Sequence, residues 1–313
     1  VCGIICICSN IINLKFRKIN TLRCYHTTIS LNFTHITALG KIFYGCKRFC
    51  RAQKGSVMIN YIESKDNPKI KNALKIASDA SFRKKNGMFF ASSSKAVGDI
   101  ARAGFEPVAL FLTGEEYERQ GEKFAAYPVY VISSSVCEKL REGKTEDGVF
   151  GVFKMKPGDT DKILSGDKLL VLQDVQDPGN MGAIMRTALA FGFKNAVVTT
   201  GCADVYSRKV IRSSMTACVK MNIYKTDDLL QFTKKLNEKG FCTVASCLEG
   251  AQELGNAKIK RPVALYIGNE GNGLPKEIIN RCAVRVKIPM SEEIESLNAA
   301  VSAAVLMWEL GRC

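Results

Sequence analysis

The chain predicts an α/β protein built on a mostly parallel sheet, and three observations carry that expectation. Short Val/Ile/Leu-rich runs of about five residues alternate with helical stretches, as strands buried on both faces of a parallel sheet do. The stretch from Pro262 to Leu310 reads strand, glycine loop, helix, strand, loop, helix. A third run, Lys168–Val175, ends in the polar loop Gln176-Asp177-Pro178-Gly179-Asn180 and then opens a helix. In such sheets ligands sit beyond the carboxyl ends of strands.

From Met58 onward the elements follow in order. Tyr61–Lys85 reads as a helical segment entered after Asn67-Pro68, with Ile70, Ala73, Leu74, Ile76 and Ala77 on one apolar face. Gly87–Ala91 reads as a strand and Lys95–Ala103 as a helix closed by Gly104. Val108–Leu112 is a strand, Glu115–Glu122 a helix, Val129–Ile132 a strand, Ser134–Glu142 a helix and Val149–Met155 a strand. Lys156-Pro157-Gly158-Asp159-Thr160-Asp161 is polar and punctuated by Pro-Gly, as expected of a linker. The division is therefore 1–57, 58–155, a linker at 156–161, and 162–313. In the last part strands are expected at Leu169–Val175, Asn195–Thr199, Cys218–Ile223, Cys242–Ser246, Val263–Ile267 and Val284–Ile288, with a helix at Leu229–Lys239.

The net charge of +15 points to a polyanionic partner such as nucleic acid. It is unevenly spread. Residues 1–57 hold nine Lys/Arg and no Asp or Glu, leaving +6 for the rest. The same stretch holds both histidines, His26 and His35, and six of the thirteen cysteines. The first methionine is Met58, so 1–57 reads as an extension upstream of the functional start, or as a removed leader of mitochondrial type. Cys46-x-x-x-Cys50 has a spacing that zinc accepts, but no second well-spaced pair follows, and no metal is expected. The other cysteines are scattered singly, which fits a reducing, cytoplasmic setting. No apolar run approaches the ~20 residues of a membrane span.

The glycine loop Gly268-Asn269-Glu270-Gly271-Asn272-Gly273 leaves little side chain between backbone and a ligand, though it also reads as a plain turn. Its order is G-x-x-G-x-G, not the dinucleotide G-x-G-x-x-G, and no P-loop occurs. Asp177-Pro178-Gly179-Asn180 with Arg186, then Gly268-Asn269-Glu270-Gly271 with Gly273-Leu274, then Ile288-Pro289-Met290 with Ser296-Leu297-Asn298 form three blocks over about 140 residues. Together they resemble the three motifs of the SpoU (TrmH-like) RNA ribose 2′-O-methyltransferases of the SPOUT superfamily. Residues 58–155 loosely resemble the L30e-like substrate-binding domain that precedes many such catalytic domains. This chain has Ser92-Ser93-Ser94 where that domain tends to carry Glu-Gly, and Thr216 where the catalytic domain usually has Gly.

The resemblance implies a C-terminal trefoil knot, S-adenosylmethionine as methyl donor, and a ribose 2′-hydroxyl of RNA, rRNA more than tRNA, as acceptor. It implies cofactor binding through Gly268, Ile288 and Leu297, with Gly271 and Pro289 shaping the pocket. It gives Arg186 the central catalytic role. A guanidinium does not lose its proton, so Arg186 is expected to orient the hydroxyl and stabilise its developing charge. Asn180, Ser296 and Asn298 would hold Arg186 and the ribose, and Glu270 would brace a loop or act as a base. Asn180 also sits where a helix N-cap is expected, and Ser296 or Asn298 could cap the last helix. Two basic clusters are candidate RNA contacts: Arg83, Lys84 and Lys85, and Arg208, Lys209 and Arg212; each also reads as a solvated helix face. The last helix, Ala299–Leu310, is apolar on nearly all sides, which suggests a homodimer interface. The alternatives are a non-catalytic RNA-binding or ribosome-assembly protein on the same scaffold, and a tRNA 2′-O-methyltransferase.

Overall fold

The computed structural model describes residues 60–143, 146–291 and 293–312, with the two-residue strands Arg23–Cys24 and Thr27–Thr28. The chain divides into two compact units, Val1–Ser56 and Val57–Cys313. In the first, the two short strands pair antiparallel. Met58 and the Cys46/Cys50 pair lie outside the described residues.

The second unit carries two sheets. The first has strands β1 (Asn60–Ile62), β2 (Met88–Ser92), β3 (Pro107–Thr113), β4 (Val129–Ile132) and β5 (Val149–Lys154), in the order β1-β4-β3-β5-β2. β1, β4 and β3 run parallel, and β5 is antiparallel to β3 and β2. Where the sequence suggests one helical segment over Tyr61–Lys85, Tyr61 lies in β1 and two helices follow, α1 (Pro68–Ser78) and α2 (Ala80–Asn86). Asp79 breaks them. It is extended, and its carboxylate accepts from the Phe82 amide as the N-cap of α2. α3 (Ser94–Arg102), α4 (Gly114–Gln120) and α5 (Ser134–Leu140) complete this part.

After the irregular stretch 155–159 and α6 (Thr160–Leu164), the second sheet begins. Its strands are β6 (Lys168–Leu172), β7 (Asn195–Thr199), β8 (Asn222–Thr226), β9 (Cys242–Ser246), β10 (Gln252–Glu253), β11 (Val263–Ile267) and β12 (Val284–Lys287). The order is β8-β7-β6-β11-β9-β12-β10, and every pairing is parallel. The helices are α7 (Pro178–Ala190), α8 (Arg208–Ser213), α9 (Ala217–Lys220), α10 (Leu229–Glu238), α11 (Lys276–Arg281) and α12 (Ala299–Arg312). The expected strand Cys218–Ile223 is displaced: α9 takes its first residues and β8 starts at Asn222. A short buried apolar run such as Ala217-Cys218-Val219 carries no period that separates strand from helix.

The core does not respect the expected boundary. One apolar cluster runs from Phe89, Val97, Leu110 and Phe153 of the first part into Leu170, Met181, Ile184 and Leu306 of the second. Tyr206 stitches the two, its ring 4.8 Å from Phe89 and 6.4 Å from Phe105. The segment 156–161 is likewise fastened rather than free: Asn222 accepts from the Asp159 amide and donates back to its carbonyl, both at 2.8 Å.

α12 divides its apolar residues between two faces. Ala303, Leu306, Met307 and Leu310 are buried, but Val301, Val305 and Trp308 are 50%, 38% and 54% exposed. The spacing i, i+4, i+7 puts these three on one stripe. The helix therefore has one face in the core and one apolar face outward.

Candidate active site

The parallel order brings the carboxyl ends of β6, β11, β9 and β12 to one edge of the sheet. The three sequence blocks are the loops that leave this edge. Asp177, not Asn180, is the N-cap of α7: its carboxylate accepts from the Asn180 amide at 2.8 Å, with Pro178 at the first helical position. The Asp-Pro pair carried that signal, and the sequence reading overlooked it. Asn180, freed from capping, sits in the first turn and turns its side chain to two distant partners. Its Nδ2 donates to Glu270 Oε1 at 3.1 Å, and its Oδ1 accepts from Asn298 Nδ2 at 3.0 Å.

Glu270 ties the loop after β11 to the loop after β6. Its two oxygens accept from the backbone amides of Gln176 and Asp177, each at 3.1 Å, in addition to Asn180. Burial pushes its carboxyl up, but the hydrogen bonds from Asn180 and the loop amides outweigh that and hold it below the ordinary carboxylate value. A general base tuned to neutral pH needs the opposite shift, so the geometry disfavours Glu270 as base. Asn298 caps α12, its Oδ1 accepting from the Ala300 and Val301 amides at 2.9 and 3.3 Å. Ser296 is exposed and takes no part in this network.

The glycine loop is closed by its own chain. Asn269 and Gly273 exchange backbone hydrogen bonds at 3.0 and 2.9 Å. A Cβ on Gly268 would run into the Gly273 backbone, so the close approach that Gly268 permits is to its own loop. Gly271 meets nothing closer than Asn269 Oδ1 at 3.6 Å. Asn269, which the sequence reading left without a role, accepts from the Gly271 and Asn272 amides at 3.0 and 3.1 Å and donates to the Asp174 carbonyl at 2.8 Å. It ties the loop after β11 to the loop after β6.

The expected cofactor residues share this edge. Ile288, just past β12, and Leu297 are half-buried, and Pro289 is exposed. Gly268, Ile288 and Leu297 make no hydrogen bond among the described residues. Leu248, in the loop after β9, and Ile294, three residues before Leu297, are 62% and 55% exposed. Unpaired backbone groups beside apolar side chains are the kind of lining that an adenine-bearing cofactor takes. Arg186 lies two turns along α7, exposed, its side chain making no hydrogen bond or ion pair among the described residues. It is not held by Asn180, Ser296 or Asn298.

The two basic clusters separate residue by residue. Arg83 is 4% exposed; it donates to Asp204 at 2.8 Å and to the carbonyls of Ile76 and Ala77 at 2.9 and 3.0 Å. Arg208 donates to the Leu140 carbonyl at 2.9 Å, pairs with Glu142 and Glu146, and lies 4.7 Å from the Phe90 ring centre. Both arginines fasten the first part of the unit to the second, and neither is open to RNA as expected. Lys84 and Lys85 are exposed. Arg212 and Lys209 are exposed too, with Glu142 at 3.3 Å and Asp177 at 3.8 Å.

Comparison with known proteins gives the family of the chain. The SpoU rRNA Methylase family model matches residues 167–308. An uncharacterized tRNA/rRNA methyltransferase of Synechocystis sp. is 31% identical over 183 residues, 58% of this chain and 67% of its own length. The 23S rRNA (guanosine(2553)-2′-O)-methyltransferase RlmP of Bacillus subtilis is 25% identical over 249 residues, 80% of this chain and 98% of its own. The crystal structure of an rRNA methyltransferase from Sinorhizobium meliloti superposes with a TM-score of 0.74 at 25% identity, covering 81% of this chain and 98% of that one. Its AdoMet-bound form gives the same TM-score at 23% identity.

Proposed function

The chain belongs to the SpoU rRNA methylase family, and on that premise we propose that it transfers a methyl group from S-adenosylmethionine to a ribose 2′-hydroxyl of RNA. The observation that carries the reading is the meeting of three distant chain segments at Asn180, Glu270 and Asn298. Support for rRNA over tRNA comes from RlmP, which aligns along nearly its whole length and so includes the first part of the unit. The cofactor would lie against Gly268, Ile288 and Leu297, with Pro289 and Gly271 at its border. Bound there, it supplies an electrophilic methyl group on a sulfonium.

The chain's own residues then have three tasks. Glu270, ionised at neutral pH, fixes the Gln176–Asn180 loop through two amides and one side chain. Asn180 is thereby locked in orientation, and it locks Asn298 at the head of α12. Arg186, without a partner among the described residues, brings five N–H donors to an incoming ribose or phosphate. It orients the hydroxyl and stabilises the negative charge that grows as the proton leaves to phosphate or water. Ser296 borders the acceptor ribose.

Three features complete the proposal. The last ~80 residues are knotted; insertion of β11 between β6 and the earlier strand β9 favours it, although knots are rare. The stripe Val301, Val305 and Trp308 is the homodimer contact, and Trp308→Glu is expected to raise the monomer fraction in sedimentation. The protein works in the cytoplasm; among the described residues no helix is long and apolar enough to cross a membrane.

The test is calorimetric titration of the full chain with S-adenosylmethionine, followed by methyl transfer to total rRNA. Binding by the parent and by Arg186→Ala is expected, with transfer lowered about 10²–10³-fold in the variant. Absence of cofactor binding by the folded parent would move the chain to the assembly-factor class.

A further inference from the structure

Asp174, in the loop after β6, is one of four non-glycine residues among the described ones with positive φ, at 51°. An aspartate enters this left-handed region at a cost, and such strain gathers where a site is built. Its neighbours hold it there. The Asp174 amide donates to the Thr199 hydroxyl at 2.9 Å, and that hydroxyl donates back to Asp174 Oδ1 at 2.6 Å. Gln173 Nε2 donates to the other carboxylate oxygen at 2.8 Å. Thr199, the last residue of β7, is buried. A Cβ on Gly201 would fall 2.2 Å from Asp174 Oδ1, so the turn after β7 is shaped around this carboxylate.

The direction of the Asp174 carbonyl follows from this backbone conformation, and that carbonyl accepts from Asn269 Nδ2 at 2.8 Å. Asn269 Oδ1 in turn accepts from the Gly271 and Asn272 amides. Glu270, flanked by Asn269 and Gly271, accepts from the Gln176 and Asp177 amides and from the Asn180 side chain. The glycine loop is thus joined to the loop after β6 at two places, and one of them ends on Asp174.

A cleft of about 190 Å³ opens between the two loops, lined by Gln173, Asp174, Gln176, Asn269 and Asn272. All five are polar, so apolar packing does not set the spacing of the loops at this point. The hydrogen bonds set it, and they transmit the conformation of residue 174 to the glycine loop.

We propose that Asp174 is a positioning residue for methyl transfer, acting through Asn269. Clamped by Thr199, it aims its carbonyl so that the glycine loop, and Glu270 with it, sits where Asn180 and the start of α7 are oriented. If residue 174 relaxes to ordinary negative φ, the carbonyl swings off Asn269. The glycine loop then drifts from α7, the helix that carries Arg186. A misplacement of about 1 Å at a reacting centre can lower a rate about 10²-fold. The loss is therefore expected in kcat. This role rests on the methyl-transfer reading and extends the machinery to β7, a strand that supplies none of the three sequence blocks.

The test compares Asp174→Ala, Asp174→Asn, Thr199→Val and Thr199→Ser in the full chain. Calorimetry with S-adenosylmethionine counts competent sites, and kcat for transfer to total rRNA is taken per site. Asp174→Ala and Thr199→Val break the clamp from its two sides, and each is expected to lower kcat about 10- to 100-fold at unchanged KM for RNA. The double variant is expected to lose no more than the worse single one, because both break the same contact. Asp174→Asn keeps an acceptor oxygen and a tolerance of positive φ, Thr199→Ser keeps the hydroxyl, and each is expected within about three-fold of the parent. Hydrogen exchange gives a second readout. In Asp174→Ala the amides of Gln176, Gly271 and Asn272 are expected to exchange faster, while those of β11 and of the first sheet keep the parent rate. A parent-like kcat in Asp174→Ala, Asn and Ser variants as impaired as Ala and Val, or faster exchange throughout both sheets overturns the proposal. No transfer by the folded parent sinks the methyltransferase reading beneath it, and exchange at the three loop amides then still decides whether Asp174 sets the loop.

Discussion

Arginine serves two opposite ends in two regions of this molecule. At the junction between the two sheets, Arg83 and Arg208 are sunk among carbonyls and carboxylates and hold the parts together. On α7, Arg186 has no partner among the described residues and is exposed. The junction uses up its charges, whereas the region of the three loops holds its loop with neutral amides and one carboxylate and leaves its cation available. A cation's function is decided less by its type or its basic neighbours than by whether the fold has already engaged its donors.

The sharpest way to break this contrast is Arg83→Ala. It removes the partner of half-buried Asp204 and the donor to the Ile76 and Ala77 carbonyls. Asp204 keeps the Tyr206 amide and some solvent, so the loss should fall toward the low end of the about 3–5 kcal/mol that a fully buried pair costs. Urea unfolding should register that loss, and Arg83→Met should recover part of it by filling the space. A surface arginine on RNA would instead leave stability within about 0.5 kcal/mol.

Glu270→Gln probes the other region. One of its acceptor oxygens becomes a donor facing a backbone amide, so the Gln176–Asn180 loop loosens and methyl transfer falls while the core stays intact. The sign with pH follows from the lowered carboxyl. A depressed acid contributes stability in full above its unfolded value and loses it as pH falls through its folded value. The stability gap between parent and variant is therefore expected to be constant near neutrality and to close in acid. A gap that instead opened in acid would contradict the bracing role.

The smallest effect belongs to the cations still open at the first basic cluster. Lys84→Ala with Lys85→Ala should leave stability unchanged within about 0.5 kcal/mol. The salt slope of RNA binding should fall by about 0.7–0.9 for each phosphate that is no longer neutralised. An unchanged slope would return that helix end to the plain solvated reading.

Much of the fold was legible because strands here are short runs with one period. β4, β7, β9 and β11 match the expected bounds at both ends. Failures came where two physical readings share one pattern. Ala217-Cys218-Val219 is apolar as strand or as buried helix, and Asp79 ends one helix by capping the next, a role its identity alone does not distinguish from a surface Asp. At the site, Glu270 as brace and Asn298 as cap were within reach of local chemistry. The Asn180 cap was misassigned because Asp177-Pro178 already held that place.

The strand-and-helix alternation, the three blocks and hence the family could be read from the chain without coordinates, because these depend on local periodicity and on residues close in sequence. Folding in three dimensions settled which cations remain free, which face of α12 stays outward, and that Asn180, Glu270 and Asn298 touch. Those outcomes depend on which groups, 90 to 121 residues apart, compete for the same hydrogen bonds once water is excluded. No window of sequence contains both partners of such a contest.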